Sequence, residues 1–93
     1  MHITELVWDE ETVLHIQKKH HVTPEEVEDI CFSENPPLIE VGRGGSPNYY
    51  VLGQTSTGRY LFVVIRYLFR GKAKPITARA MESGEKKRYH RKR

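Results

Sequence analysis

The sequence predicts an α+β fold, an antiparallel sheet of about four to five strands carrying helices on one face, two of them in the N-terminal half and one at the C-terminus. Three observations predict it. Helix-start chemistry occurs twice before residue 35, at Asp9-Glu10-Glu11 and at Thr23-Pro24-Glu25-Glu26. From Leu38 the apolar spacing changes from helical to strand-like, and Leu61-Phe62-Val63-Val64-Ile65 is continuously apolar, as a central strand covered on both faces is. Helices first and strands after fit segregated layers better than alternating βα units.

Each element has its own signal. Ile3 to Trp8 alternates weakly and is short, as an edge or first strand is. Asp9 offers an N-cap, Glu10 and Glu11 place negative charge in the first turn, and Val13, Ile16 and His20 recur at helical spacing, so the first helix runs to about Lys19 or His20. Thr23 caps the second helix, Pro24 takes its first position and Glu26 completes a capping box. Val27, Ile30 and Cys31 form its apolar face, and Asn35-Pro36-Pro37 stops it. Leu38 to Val41 reads as a strand, Gly42 to Pro47 as a flexible loop and Tyr49 to Gly53 as a second strand. Thr55-Ser56-Thr57-Gly58 is hairpin-turn chemistry leading into Tyr60 to Phe69. After Arg70-Gly71-Lys72 the chain returns as Ala73 to Ala78, where Pro75 suggests an edge strand. The last segment is a basic helix to about His90, with Ser83 as its cap.

Charge is split between the halves. Residues 1–47 hold ten acidic and three basic side chains, formally −7, and residues 48–93 hold two acidic and twelve basic, formally +10; together they give the net +3. Such a positive back half attracts polyanions. At 93 residues there is room for one small domain, 1–93, with a basic tail from about residue 86. The lone Cys31 excludes an intramolecular disulfide, and the absence of clustered ligands argues against a structural metal. No glycine-rich cofactor loop is present, so no cofactor is expected. The first residues lack the basic start and apolar run of a signal peptide, and no segment approaches the roughly 20 apolar residues of a membrane span, so a cytoplasmic protein without a membrane partner is expected.

Three places carry candidate chemistry. Arg59, Arg66, Arg70, Lys72, Lys74 and Arg79 fall on strands and turns, followed by Lys86, Lys87, Arg88, Arg91, Lys92 and Arg93. Arginine's planar fork suits phosphate, and interleaved Tyr49, Tyr50, Tyr60, Tyr67 and Tyr89 suit stacking on unpaired bases. The plain alternative is a solvated tail plus strand arginines that pair with the acidic front half. The second place is His15, His20 and His21, where a histidine near bound phosphate would suit acid–base work. The plainer reading, and the one preferred for His20, is a ring that closes the helix C-terminus by hydrogen-bonding to backbone. The third is Arg79 with Glu85 and Tyr89, the last two four residues apart on one helix face. There a carboxylate that orients the arginine and one that accepts a proton remain equal alternatives.

Trp8-Asp9-Glu10 opening a helix, Lys19-His20 closing it, Val22-Thr23-Pro24-Glu25-Glu26-Val27, the stretch Gly53 to Val64 reading GQTSTGRYLFVV, and Ile76-Thr77-Ala78-Arg79 followed by Glu85 and Tyr89 together resemble the BrnT-type toxins of bacterial type II toxin–antitoxin systems. The resemblance spans nearly the whole chain. It implies a RelE-like fold, an endoribonuclease that inhibits translation, and neutralisation by a BrnA-like antitoxin of the ribbon–helix–helix type. It also implies that operator DNA is bound only through the toxin–antitoxin complex, and that the toxin core is a homodimer. Trp8, Lys19, His20, Gly53, Gly58, Arg59, Arg79, Glu85 and Tyr89 occupy motif positions. The chain departs from the family pattern at Gln54, where many members have arginine, at His21, where they have glycine, and at Ala80 and Ser83-Gly84, where they carry charge.

A metal-independent ribonuclease needs a base for the ribose 2′-hydroxyl, a cation for the phosphate and an acid for the departing 5′-oxygen. On the resemblance, Arg79, helped by Arg59 or Arg66, stabilises phosphate charge and Glu85 or His20 handles protons. Tyr89 positions RNA, with Lys86, Lys87 and Trp8 as further contacts. The rival expectation is a non-catalytic or degenerate module of the same fold that binds RNA or antitoxin without cutting.

Overall fold

The computed structural model describes residues 2–45 and 47–92; Ser46 of the glycine-rich loop and Arg93 of the basic tail lie outside them. The elements in order are β1 (Glu5–Leu6), α1 (Glu10–His20), α2 (Pro24–Phe32), β2 (Leu38–Val41), β3 (Asn48–Gln54), β4 (Tyr60–Phe69), β5 (Lys72–Ala80) and α3 (Ser83–Arg91). The sheet order is β1-β5-β4-β3-β2, which puts the apolar run of β4 in the centre. Neighbours from β2 to β5 are antiparallel, whereas β1 joins β5 in parallel, so the sheet is mixed.

The helix starts follow from their caps. The Asp9 carboxylate accepts the Thr12 N–H at 2.7 Å, and Thr23 and Glu26 exchange the two bonds of a capping box at 3.2 and 3.0 Å. α1 closes on His21, which sits in the left-handed region at φ 54°, while the Val22 N–H reaches back to the Ile16 carbonyl. The β4–β5 hairpin turns on Arg70 and Gly71, both at positive φ, as a tight two-residue turn requires. A Cβ on Gly53 would stand 2.8 Å from the Ile30 Cβ, so the close approach of α2 to β3 needs glycine there.

Three expectations are corrected. Helices cover both faces of the sheet. Ile16, Val27 and Ile30 of α1 and α2 pack with Val51, Leu61, Val63 and Ile65, while Leu52 and Phe62, pointing the other way, pack with Met81 and Tyr89 of the α3 segment. The cap of α3 is Glu82, because the Glu85 carboxylate reaches back three residues to its N–H at 2.8 Å; Ser83 is the first helical residue. β5 is an interior strand despite Pro75. β1 pairs only with Lys72 and Ala73, and Pro75 sits opposite Ile65 at a register irregularity, where a missing N–H is tolerated.

Candidate functional site

Strand register brings Gly53, Arg59 and Arg79 to one end of the sheet. Arg79 stands opposite Phe62 near the end of β5, and its guanidinium lies over the Phe62 ring, 4.3 Å from the centroid. Nη1 and Nη2 donate to the two Glu85 oxygens, each at 2.8 Å, and Nη1 also donates to the Ala80 carbonyl at 3.1 Å. The other guanidinium edge, Nε–H with the second Nη2–H, makes no hydrogen bond among the described residues. Burial pushes the Glu85 carboxyl up, but the Arg79 hydrogen bonds, the Glu82 N–H and the charges of Arg79 and Arg88 outweigh it and hold the group below the usual carboxylate range. Glu85 is therefore an anion at neutral pH, shaped to orient Arg79.

The pair opens onto a groove of about 750 Å³ between α3 and strands β2 to β4. Arg88 faces the same groove and is bound by Glu40 of β2, through Nε at 2.9 Å and Nη2 at 3.0 Å, with Lys92 Nζ 3.6 Å from the same carboxylate. The Arg88 hydrogen bonds hold the Glu40 carboxyl below its ordinary value, against burial. Tyr50 and Phe62 form the floor, their ring centroids 5.0 Å apart.

A second cluster lies at the end of α1. Arg59 donates Nη1 to the His21 carbonyl at 2.7 Å and Nη2 to the His20 carbonyl at 3.3 Å, and pairs with Glu26 at 3.0 Å. It satisfies helix-end carbonyls that would otherwise lack donors. The half-buried His20 ring lies edge-on to His15 with centroids 5.3 Å apart. Desolvation, then the charges of His15, Lys19, Arg79 and His21, push its pKa below the ordinary 6.5. His20 is thus a neutral base at pH 7, and the Arg79 charge reaches it. Burial pushes the Cys31 thiol up to about 12, which leaves it without nucleophilic thiolate.

The remaining candidates are dispersed. Arg66 is exposed on β4, opposite Lys74, and its four-residue separation from Phe62 is roughly 13 Å along the strand. Lys86 is exposed, with Nζ 5.5 Å from the Tyr60 centroid, and Lys87 is exposed on the same helix. Trp8 is half-buried, donates Nε1–H to Glu28 at 3.0 Å and packs on the core. Tyr89 is 1% exposed, edge-on to Tyr60, and its ring holds α3 to the sheet where no base can stack on it. Front-half acids do pair with back-half cations, in Arg59–Glu26, Lys74–Asp9 and Arg88–Glu40.

Sequence reasoning missed Glu40 and placed Arg88 only within a tail. Glu85, Arg88 and Lys92, spaced three and four apart on one stripe, were the available signal. At the departures from the family pattern, Gln54 Nε2 donates to the Gly58 carbonyl across the β3–β4 turn at 3.3 Å, and Ala80 is exposed. Ser83 and Gly84 are also exposed, and a Cβ on Gly84 would meet nothing within 4 Å.

Residues 8–85 match the family described as ribonuclease toxin, BrnT, of type II toxin-antitoxin system. The fold is similar to the crystal structure of the Brucella abortus ribonuclease toxin, BrnT, with a TM-score of 0.68, 12% sequence identity, and coverage of 86% of this chain and 99% of that one. No curated protein sequence matches the chain.

Proposed function

The chain belongs to the BrnT family of ribonuclease toxins of type II toxin–antitoxin systems, and from that premise we propose that it cuts RNA at Arg79 without a metal ion, as one toxin domain acting in the cytoplasm. The observation that carries the reading is the Arg79–Glu85 pair: a guanidinium fixed on one edge by an anionic carboxylate, with its other edge unbonded beside an open groove. That edge stabilises the charge that builds on phosphate oxygen as the ribose 2′-oxygen attacks. We assign the 2′-hydroxyl proton to His20, neutral at pH 7, which stands at the end of α1 outside the groove lining, so the strand must run from the groove over the end of the sheet to meet it. Glu85 acts through Arg79, and Arg59 acts through the end of α1, which it binds by two carbonyls. The P–O5′ bond breaks, and solvent in the open groove protonates the departing oxygen. Lys86 and Lys87, exposed at the start of α3, attract the strand.

The family implies an antitoxin protein partner. We assign it the BrnA-like ribbon–helix–helix type, with a toxin homodimer in the complex and operator DNA reached only through the antitoxin. No helix among the described residues is long and apolar enough to cross a membrane.

Incubating the purified chain with RNA in the presence of a chelator tests the reaction. Fragments ending in 2′,3′-cyclic phosphate are expected, and intact RNA would favour the second reading, a module that holds RNA without cutting. One observation favours that rival: Arg59, Arg79 and Arg88 are each already paired with a carboxylate.

A further inference from the structure

We infer that the groove contains a second phosphate site, formed by Arg88 and Lys92 next to Arg79, so that it grips single-stranded RNA at successive phosphates. This rests on the reading of Arg79 as a phosphate site and extends it along α3. Glu85, Arg88 and Lys92 share one stripe of the helix, and with Arg79 and Glu40 they form an alternating ladder: Arg79 to Glu85, Arg88 to Glu40, Glu40 to Lys92. The ladder holds three cations and two carboxylates, so it keeps one positive charge in excess.

The two arginines are tied in complementary ways. Arg79 gives its Nη1/Nη2 edge to Glu85 and keeps Nε free, whereas Arg88 gives Nε and Nη2 to Glu40 and keeps Nη1 free. A clamp that only fastened α3 to β2 would need one edge; the second edge of each guanidinium remains available to a bidentate acceptor. Lys92 is more weakly held, with its ammonium 3.6 Å from Glu40 and the side chain 52% exposed. Arg88 Nε and Lys92 Nζ lie 2.9 and 3.6 Å from the same Glu40 oxygen, so their charged ends are close enough to act on one phosphate. The half-buried Tyr50 gives the floor an aromatic surface for an unpaired base, which favours RNA over an acidic peptide, whereas the Phe62 ring is already covered by Arg79.

The test is anisotropy of a short labelled single-stranded RNA, with 2′-O-methyl riboses to prevent cleavage, titrated with the full chain at several KCl concentrations. Arg88→Ala and Lys92→Ala should each make the slope of log K against log salt shallower by about 0.7, the loss of one single-strand phosphate contact. Lys18→Ala, which removes an exposed cation on α1, is the charge-matched control and keeps the wild-type slope. Because Arg88→Ala also breaks the Glu40 bond, Lys92→Ala carries the test if the former does not fold. Slopes equal to the control would overturn the second site even if the wild type cuts unmodified RNA. Shallower slopes with a wild type that cuts nothing would keep the site and remove the catalytic reading. Slopes that change for poly-glutamate but not for RNA would overturn the proposal and give the groove to an acidic protein segment.

Discussion

Replacing Glu85 by glutamine keeps the length of the side chain and removes its charge, which isolates what the carboxylate does for Arg79. Three N–H groups, two from Arg79 and one from Glu82, donate to Glu85 at 2.8 Å each. Glutamine offers one acceptor oxygen to these donors and turns an amide NH₂ toward the guanidinium. A lost hydrogen bond to a charged group costs about 1.5–3 kcal/mol, but the Arg79 side chain is 30% exposed and water replaces part of the loss. We therefore expect a net cost of about 2 kcal/mol, taking the three bonds as strongly non-additive. In a domain of this size that lowers Tm by about 8–16 °C. Thermal melts followed by circular dichroism across pH measure it. The native pKa of Glu85 is depressed, so its contribution is present above the ordinary 4.5 and disappears as pH falls through the native value. Wild type and Glu85→Gln should differ at pH 7 and converge in acid. Coincident melts at pH 7, or a gap that persists unchanged at low pH, would refute the reasoning.

Other expectations follow from single residues. His21→Gly relieves a left-handed residue at the end of α1 and should stabilise the fold by about 1 kcal/mol, visible as a rise in the urea midpoint at constant m. Gly53→Ala forces a Cβ against Ile30 and should cost about 1–3 kcal/mol in the same measurement. Lys19→Ala removes one of the charges that lower the His20 pKa, so with His20 as the base the acid limb of kcat/KM for RNA cleavage should move to higher pH than in the wild type; an unmoved limb would count against that assignment.

Local chemistry was legible where a signal spans a few residues. The Thr23-Pro24-Glu26 capping box and the apolar run at residues 61–65 placed α2 and β4 correctly, because caps act over three residues and a run covered on both faces has a sequence signature. The side of the sheet taken by α3 was not legible. It depends on Tyr89 and Met81 meeting Phe62 and Leu52, contacts that only strand parity and the chain path bring about. Pro75 misled because its usual meaning, an edge, ignores a register irregularity and a neighbour two residues long. In the site, Arg79 with Glu85 was recognisable from a six-residue separation, whereas Glu40 reaches Arg88 across 48 residues and leaves no local trace. Tyr89 drew a functional reading from its motif position, yet its ring spends its apolar surface on the core.

Inducing the chain alone in a bacterial host, beside Arg79→Ala at matched protein level, tests the Arg79-centred account most directly. Growth arrest with fragmented RNA that the variant reduces on the order of a hundredfold is the predicted result. Arrest and fragmentation undiminished in Arg79→Ala, or normal growth with intact RNA under the wild-type chain, would contradict it.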